Sequence, residues 1–340
     1  MQYNKSNNMG KIGKAPPNRW SFFVIISIII LSILFFIYTS FILPVSSCKY
    51  KESMTNASIY ISDDKNELSY GAEEKSEIPN LIWTFWDSPN LPKTVEKCID
   101  SWRYYNPGYT VTLLTKQNIG KYLPEINISN LKHSRDSPAR FSDFVRLHIL
   151  AKYGGIWIDS SIICHKPFSW IHAIQKSTRA EFIGYYLDGF TESEWKQTSP
   201  VIESWFLAAV PNSTFVQDWK TEFIRTDNFD DIDDYLHDVI DNHSISIQNI
   251  QGPNYLTIHV SAQKILQKNR GKYNIFVFQA ERGPYQYLAL NEWDSERSIQ
   301  HITNPTKNRA FFDFPIIKMR GCERGPMDQN PNIDNAFSHF

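Results

Sequence analysis

Residues 142–161 read SDFVRLHILAKYGGIWIDSS. The first part of this stretch has a helical pattern, and the helix it predicts runs from Ser137 to Tyr153, closed by Gly154-Gly155. Beyond the glycines, Ile156 to Ile158 predicts a short strand that ends on Asp159. Along the helix Arg140, Asp143 and Arg146 recur every third residue, while Phe144, Leu147 and Ala151 line an adjoining face. One stripe is charged and one is buried. The plain reading of the charged stripe is a solvent-facing ladder of ion pairs. The chemical reading comes from the strand that the helix leads into, because an apolar strand ending in a carboxylate presents a hard oxygen ligand to a divalent cation.

Working outward, Leu81 to Phe85 is apolar and β-prone, and Pro92 to Tyr105 carries Val95, Cys98, Ile99 and Trp102 on one helical face. Asn106-Pro107-Gly108 breaks that helix, Tyr109 to Leu114 alternates as a strand, and Thr115 to Tyr122 predicts a short helix. Glu181 to Tyr186 predicts another strand, and helices are expected near 213–225, 231–241 and 255–267. Strands alternating with helices give the α/β class, in which ligands gather at the carboxyl ends of strands, where Asp159 falls. No internal repeat is visible.

The chain has 340 residues, 42% hydrophobic and 21% charged, which excludes a disordered chain, collagen and a bare coiled coil. Its formal net charge is -1, yet the first 19 residues carry Lys5, Lys11, Lys14 and Arg19 and no acid, so the rest of the chain is acidic. An acidic body argues against nucleic acid as a partner. Aromatic residues make up 14% of the chain, a content that suits stacking on flat ligands such as bases and sugars and equally suits an aromatic core. The uncharged run from Trp20 to Leu43 spans roughly 35 Å as a helix, enough to cross a bilayer and too long for a cleaved signal peptide. With the positive charge on its N-terminal side, the expected topology is single-pass type II. The organisation is then a cytosolic tail at 1–19, a transmembrane helix at 20–43, a solvated stem at 44–78 and a globular domain at 79–340. In a eukaryotic host that domain would face the Golgi or endoplasmic reticulum lumen, where Asn56, Asn127, Asn212 and Asn242 head glycosylation triplets. Cys48, Cys98, Cys164 and Cys322 have no metal-ligand spacing, and one disulfide among the last three is an open expectation.

The blocks SDFVR at 142–146 and KYGGIWID at 152–159 resemble the sugar-transferase region with the DXD motif in glycosyltransferase family 32, and still more the related capsular polysaccharide synthesis proteins. Other blocks agree in order: IWTFWD at 82–87, CIDSW at 98–102, NPGY at 106–109, PVIESWF at 200–206 and Gly252-Pro253. The resemblance covers roughly residues 79–318. It implies a GT-A type nucleotide-sugar-binding fold, a Rossmann-like mixed sheet flanked by helices. It further implies a nucleotide-sugar donor, a glycan or glycoconjugate acceptor, a divalent metal (Mn2+ or Mg2+) on the diphosphate, and retention of anomeric configuration.

By the same match Asp159 is the first acid of the motif and the expected metal ligand. Ser161 stands where the motif has its second Asp, a neutral and weaker ligand. Asp143 would hydrogen-bond hydroxyls of the donor sugar or ribose, and Arg146 would orient that carboxylate or meet the sugar. Trp83, Thr84, Phe85 and Trp86 match the segment that packs around the nucleotide, although ordinary strand core is an equal reading for Trp83. Glu203 is the candidate general base or stabiliser of oxocarbenium character, against the plainer reading of a surface or structural carboxylate, and Lys318 would close over phosphate, against the plainer reading of a solvated lysine. His259, between Ile258 and Val260 on a predicted helix, reads as a packing residue and receives no role.

The leading expectation is a membrane-anchored glycosyltransferase. A sugar-binding pseudoenzyme, suggested by Ser161, and a metal-dependent sugar-phosphate transferase are the alternatives. Turnover of a nucleotide sugar separates the first from the leading reading, and release of nucleoside monophosphate instead of diphosphate identifies the second.

Overall fold

The computed structural model describes residues 58–61 and 76–337. The expected tail at 1–19, the apolar run at 20–43 and most of the expected stem lie outside them, as do Cys48 and Asn56. Among the described residues no helix is long and apolar enough to cross a membrane.

The chain enters with β1 (Ser58–Ile61), β2 (Leu81–Phe85), α1 (Lys93–Tyr105) and β3 (Thr110–Leu114). It continues through α2 (Pro138–Tyr153), β4 (Gly155–Ile158), β5 (Ile162–Cys164), α3 (Ser169–Thr178), β6 (Phe182–Tyr186) and β7 (Ile202–Ala209). Next come α4 (Thr214–Ile224), α5 (Ile232–His237), α6 (Thr257–Lys268), β8 (Ile275–Gln279), α7 (Ser295–Thr303), β9 (Ile316–Lys318) and α8 (Gly321–Asp328). The helix expected at 115–122 shrinks to Ile119–Tyr122, and the one expected at 231–241 widens after His237 into a π-type turn, Asp238–Asn242.

Seven of these strands form one mixed sheet in the order β1-β8-β6-β7-β4-β2-β3. β3, β2, β4, β6 and β8 run one way, whereas β7 and β1 run the other. The amino end of β7 therefore lies beside the carboxyl ends of β4 and β6, and this shared edge carries the site. β5 and β9 pair as a separate antiparallel ribbon with Ile162 opposite Lys318.

One face of the sheet is covered by α2, α4 and α6, with Phe144 of α2 against Phe223 of α4 at 4.6 Å between ring centroids. The other is covered by α1 and α3, where Trp170 stacks on Phe206 and Trp102 donates its indole N–H to Ile162 O at 2.7 Å. Every residue of β7 is buried. A strand covered on both faces shows no alternation of polar and apolar side chains, which is why pattern alone does not reveal it.

Two expectations fail here. Ser58–Ile61 falls in the segment read as a solvated stem, but it pairs with β8 and buries Ile59 and Ile61. The edge of the sheet supplies the hydrogen-bond partners and the apolar cover that such a short segment lacks by itself. Cys98, Cys164 and Cys322 are all free thiols, so no disulfide joins them. Burial pushes the Cys164 thiol up to about 12, leaving it little thiolate character at neutral pH.

Candidate active site

The site is built on α2 and the turn after it. Ser137 caps the helix by accepting the Arg140 backbone N–H at 3.1 Å, and Pro138 suits the first turn because its missing N–H would have no partner there. At the other end Gly154 takes φ +61°, and a Cβ on it would lie 2.5 Å from the backbone N of Pro211. Only glycine fits, and the chain turns straight into β4. All residues from Arg140 to Ala151 are buried, so α2 is a central helix and not an amphipathic surface one.

The charged stripe is consequently not a solvent-facing ladder: Arg140, Asp143 and Arg146 are 6%, 7% and 5% exposed. Arg146 works as a clamp between three elements. It donates to Ser142 O and Ser142 Oγ on its own helix and to Ser204 O and Ser204 Oγ on β7, the last two at 2.6 and 2.9 Å. Its remaining charge faces Asp143 at 3.2 Å and Asp159 at 3.5 Å, and its plane lies over the Trp157 ring.

Asp159 leaves β4 anchored by its own N–H to Trp205 O at 2.8 Å. Its Oδ1 accepts the Trp157 indole N–H at 3.1 Å, and its Oδ2 accepts from Lys318 Nζ at 3.2 Å. Lys318 also donates to Ser161 Oγ at 2.8 Å. Lys318 comes from β9, carried across by the ribbon with β5.

Two aspartates sit in one cluster with opposite electrostatics. Burial pushes the Asp143 carboxyl above its ordinary value, against the opposing pull of Arg146 and Arg140. Burial also acts against ionisation of Asp159, but the Lys318 ammonium and Arg146 guanidinium outweigh it and hold that carboxyl below its ordinary value. Environments that separate two like groups in this way are typical of functional sites.

Glu203 lies beside this cluster, next in the chain to Ser204. Its Oε2 meets His259 Nε2 at 3.2 Å, with both side chains buried. His259 Nδ1 is buried without a hydrogen-bond partner. The Tyr285 phenol, driven well above its ordinary value by burial, feels both Glu203 and Asp159.

Of the expected site residues, the fold thus brings together Asp143, Arg146, Asp159, Ser161, Glu203 and Lys318. The β2 segment divides. Trp83 is 4% exposed, donates its indole N–H to Gly154 O at 3.0 Å, and is flanked by the rings of Tyr122 and Tyr153. Phe85 packs on Phe141 in the same core, and Thr84 is fully buried. These three lie in the core of β2, which pairs with β4 on one side and β3 on the other and is buried from Ile82 onward. Trp86, one residue past the strand, is half-buried, with the Arg324 guanidinium over its ring at 4.9 Å.

Sequence reading missed His259 and Arg324. The contact of His259 with Glu203 bridges 56 residues and leaves no local signal. Arg324 reaches Trp86 only because α8 returns to α1.

The residues fit a divalent cation poorly. Asp159 and Ser161 offer one charged and one neutral oxygen, and both already hold the Lys318 ammonium. Among the described residues no group of three or more His, Cys, Asp or Glu side chains is placed to hold a metal. A divalent cation on a diphosphate needs one or two carboxylates beside phosphate and water oxygens, and the one carboxylate available here, Asp159, is already taken by an ammonium.

The family model described as capsular polysaccharide synthesis protein matches residues 43–242, more than half of the chain. The O-glycosyltransferase braB of Annulohypoxylon truncatum is 27% identical over 158 residues, 42% of this chain and 36% of that protein. Inositol phosphoceramide mannosyltransferase 1 of Schizosaccharomyces pombe is 30% identical over 152 residues, 42% of this chain and 46% of that protein. The chain thus spans less than half the length of these curated relatives. A solved structure titled PaToxG glycosyltransferase aligns with 87% of this chain and 92% of its own at 12% identity, with a TM-score of 0.32, too distant to assign the fold.

Proposed function

We propose, from the premise that this chain belongs to the capsular polysaccharide synthesis protein family, that it is a glycosyltransferase. It moves a sugar from a nucleotide-sugar donor to a glycan or glycoconjugate acceptor on a GT-A type fold. The observation that carries this is the cluster of Asp143, Arg146, Asp159 and Lys318 at the carboxyl edge of β4, where two carboxylates and two cations converge from separate parts of the chain. Open α/β sheets bind nucleotides at that edge.

In this reading the donor diphosphate faces the cationic side of the cluster, and Asp143 hydrogen-bonds hydroxyls of the donor sugar. The bond from the anomeric carbon to the diphosphate oxygen breaks, with its electron pair staying on that oxygen. The acceptor hydroxyl oxygen bonds to the anomeric carbon and gives up its proton. Cations fixed beside the leaving oxygen stabilise the charge that develops there without reorganising. In the proposed mechanism Glu203, which meets His259 at 3.2 Å, takes the proton or stabilises the oxocarbenium-like centre. Retention of configuration belongs to the same proposal.

The test is a screen of the full-length protein in detergent against a panel of nucleotide sugars, with the released nucleotide identified. Nucleoside diphosphate and a transferred or hydrolysed sugar support the reading. Nucleoside monophosphate would mean transfer of sugar phosphate, and no turnover with any donor would leave a sugar-binding protein.

The location proposed with this activity is single-pass type II, with the described domain outside the cytosol. Asn127, Asn212 and Asn242 are exposed, so in a eukaryotic lumen they would be open to glycosylation. Loss of mass on treatment with peptide N-glycosidase and protection from protease in sealed microsomes are the expected results. Digestion of the domain in intact microsomes would reverse the topology.

A further inference from the structure

We infer that Lys318 occupies the place a divalent cation would take, so that nucleoside diphosphate binds this protein without metal. The inference rests on the glycosyltransferase reading and adds to it the nature of the cation. Its basis is a match of charges. A divalent ion between two carboxylates is balanced two against two, whereas here one carboxylate, Asp159, meets one ammonium at 3.2 Å. The residue at the position of the second carboxylate is Ser161, whose neutral oxygen accepts from that same ammonium at 2.8 Å. Ser161 and Lys318 account for each other: a second aspartate would leave excess negative charge, and a divalent ion would be repelled by the ammonium.

The ammonium is also well held. Lys318 is the last residue of β9, with Ile162 opposite it in β5, and its carbonyl accepts from Tyr287 Oη at 3.0 Å. Met319 N–H donates to Ser161 O at 3.0 Å, which locks the two site residues through their backbones. An ammonium has three protons, and Asp159 and Ser161 take two. The third is the one we assign to a phosphate oxygen; the Lys318 side chain is 9% exposed and that of Asp159 26%, so the approach to the ammonium is from the side of Asp159.

One ammonium does not neutralise a diphosphate, and a further cation stands close by. Arg324 lies over the Trp86 ring at 4.9 Å and has no carboxylate within ion-pair distance among the described residues. Lys318 and Arg324 belong to one neighbourhood, because the buried Cys98 thiol, raised by burial and by Asp328, is opposed by the charges of both. Arg324, which makes no ion pair among the described residues, stands beside a half-buried indole just past the carboxyl end of β2 and is suited to the distal phosphate or to a base stacked on Trp86.

The test is calorimetry of the full-length protein in detergent with UDP, GDP, ADP and CDP, in chelator and then with manganese. Expected is a diphosphate that binds in chelator with an affinity changed less than about threefold by manganese, and manganese alone that does not bind. Lys318→Met should weaken that nucleotide in chelator by at least about tenfold, the loss of one charge-assisted contact. Ser161→Asp, which keeps Lys318, should make binding respond to manganese. Tightening by manganese of about tenfold or more in the unaltered protein, or undiminished binding by a folded Lys318→Met protein in chelator, would overturn the inference and leave the glycosyltransferase reading standing. Failure of all four nucleotides with and without manganese would overturn both.

Discussion

Arg146 of α2 and Asp159 at the end of β4 meet at 3.5 Å, and the same guanidinium donates to Ser204 of β7 at 2.6 Å. One side chain therefore ties the helix, the motif carboxylate and the strand bearing Glu203. A planar fork can serve these directions at once, whereas an ammonium is a point charge. Arg146→Lys is expected to keep the charge yet lower turnover by about tenfold or more, since the Asp159 carboxylate loses its orientation. Arg146→Ala leaves the buried Asp143 carboxylate without its ion-pair partner, while Asp159 keeps Lys318, and should lower stability by about 3 kcal/mol in urea unfolding. An Arg146→Lys protein with unaltered turnover would reduce the clamp to packing.

Asp143 is raised by burial, and this fixes the sign of its pH effect. Its folded-state pKa lies above its unfolded one, so folding favours the protonated carboxyl. Stability from this group is full at low pH, declines as pH rises above the unfolded value of about 4, and levels off once the folded group has ionised. Asp143→Asn removes that decline, so its stability relative to the parent should improve between about pH 4 and pH 7 in urea titrations. Turnover should nevertheless fall by an order of magnitude or more, because an amide is a poor acceptor for sugar hydroxyls. A pH-independent stability difference would mean Asp143 is ionised throughout.

Gly154→Ala should be strongly destabilising. The added methyl would meet backbone atoms, Pro211 N at 2.5 Å and Ala209 O at 2.7 Å, at a positive φ that alanine disfavours. The expected loss is about 2 to 4 kcal/mol, read as a lower urea midpoint with little change in slope. A loss under about 0.5 kcal/mol would mean that the junction of α2 and β4 can shift.

Trp83→Phe separates core from donor surface. It removes the 3.0 Å indole bond to Gly154 O and should lower stability by about 1 to 2 kcal/mol. Donor KM should stay within about twofold of the parent, because Trp83 is not expected to touch the nucleotide. Trp86→Ala is the contrasting variant, with little effect on stability and a raised donor KM. The reverse outcome would return Trp83 to the donor site.

The features legible in the amino-acid sequence are local ones. α2 and β4 announce themselves through helical periodicity, a glycine pair and an apolar run ending in acid, and both stand within a residue or so of the expected bounds. Periodicity does not report depth: the Arg140, Asp143 and Arg146 stripe looks the same whether it faces water or a buried cluster. β7 is recognisable as a block of residues but not as a strand, since burial on both faces erases alternation. β1 is too short to register without β8. The Glu203 contact with His259 and the Lys318 contact with Ser161 join positions 56 and 157 residues apart, and nothing in either neighbourhood points to the other.

The pairing of β9 with β5 has a consequence for synthesis. A ribosome adding roughly 5 to 20 residues per second needs about 8 to 30 s to travel from Ser161 to Lys318. Throughout that interval the nascent chain displays Asp159 and Ser161 with no ammonium between them, and β5 with an unpaired edge. β8, on which both β1 and β6 rely, also arrives late. The donor-binding edge is therefore among the last parts to be completed, so a chain terminated before residue 318 would emerge as a client for chaperones and proteases and not as a weakened enzyme.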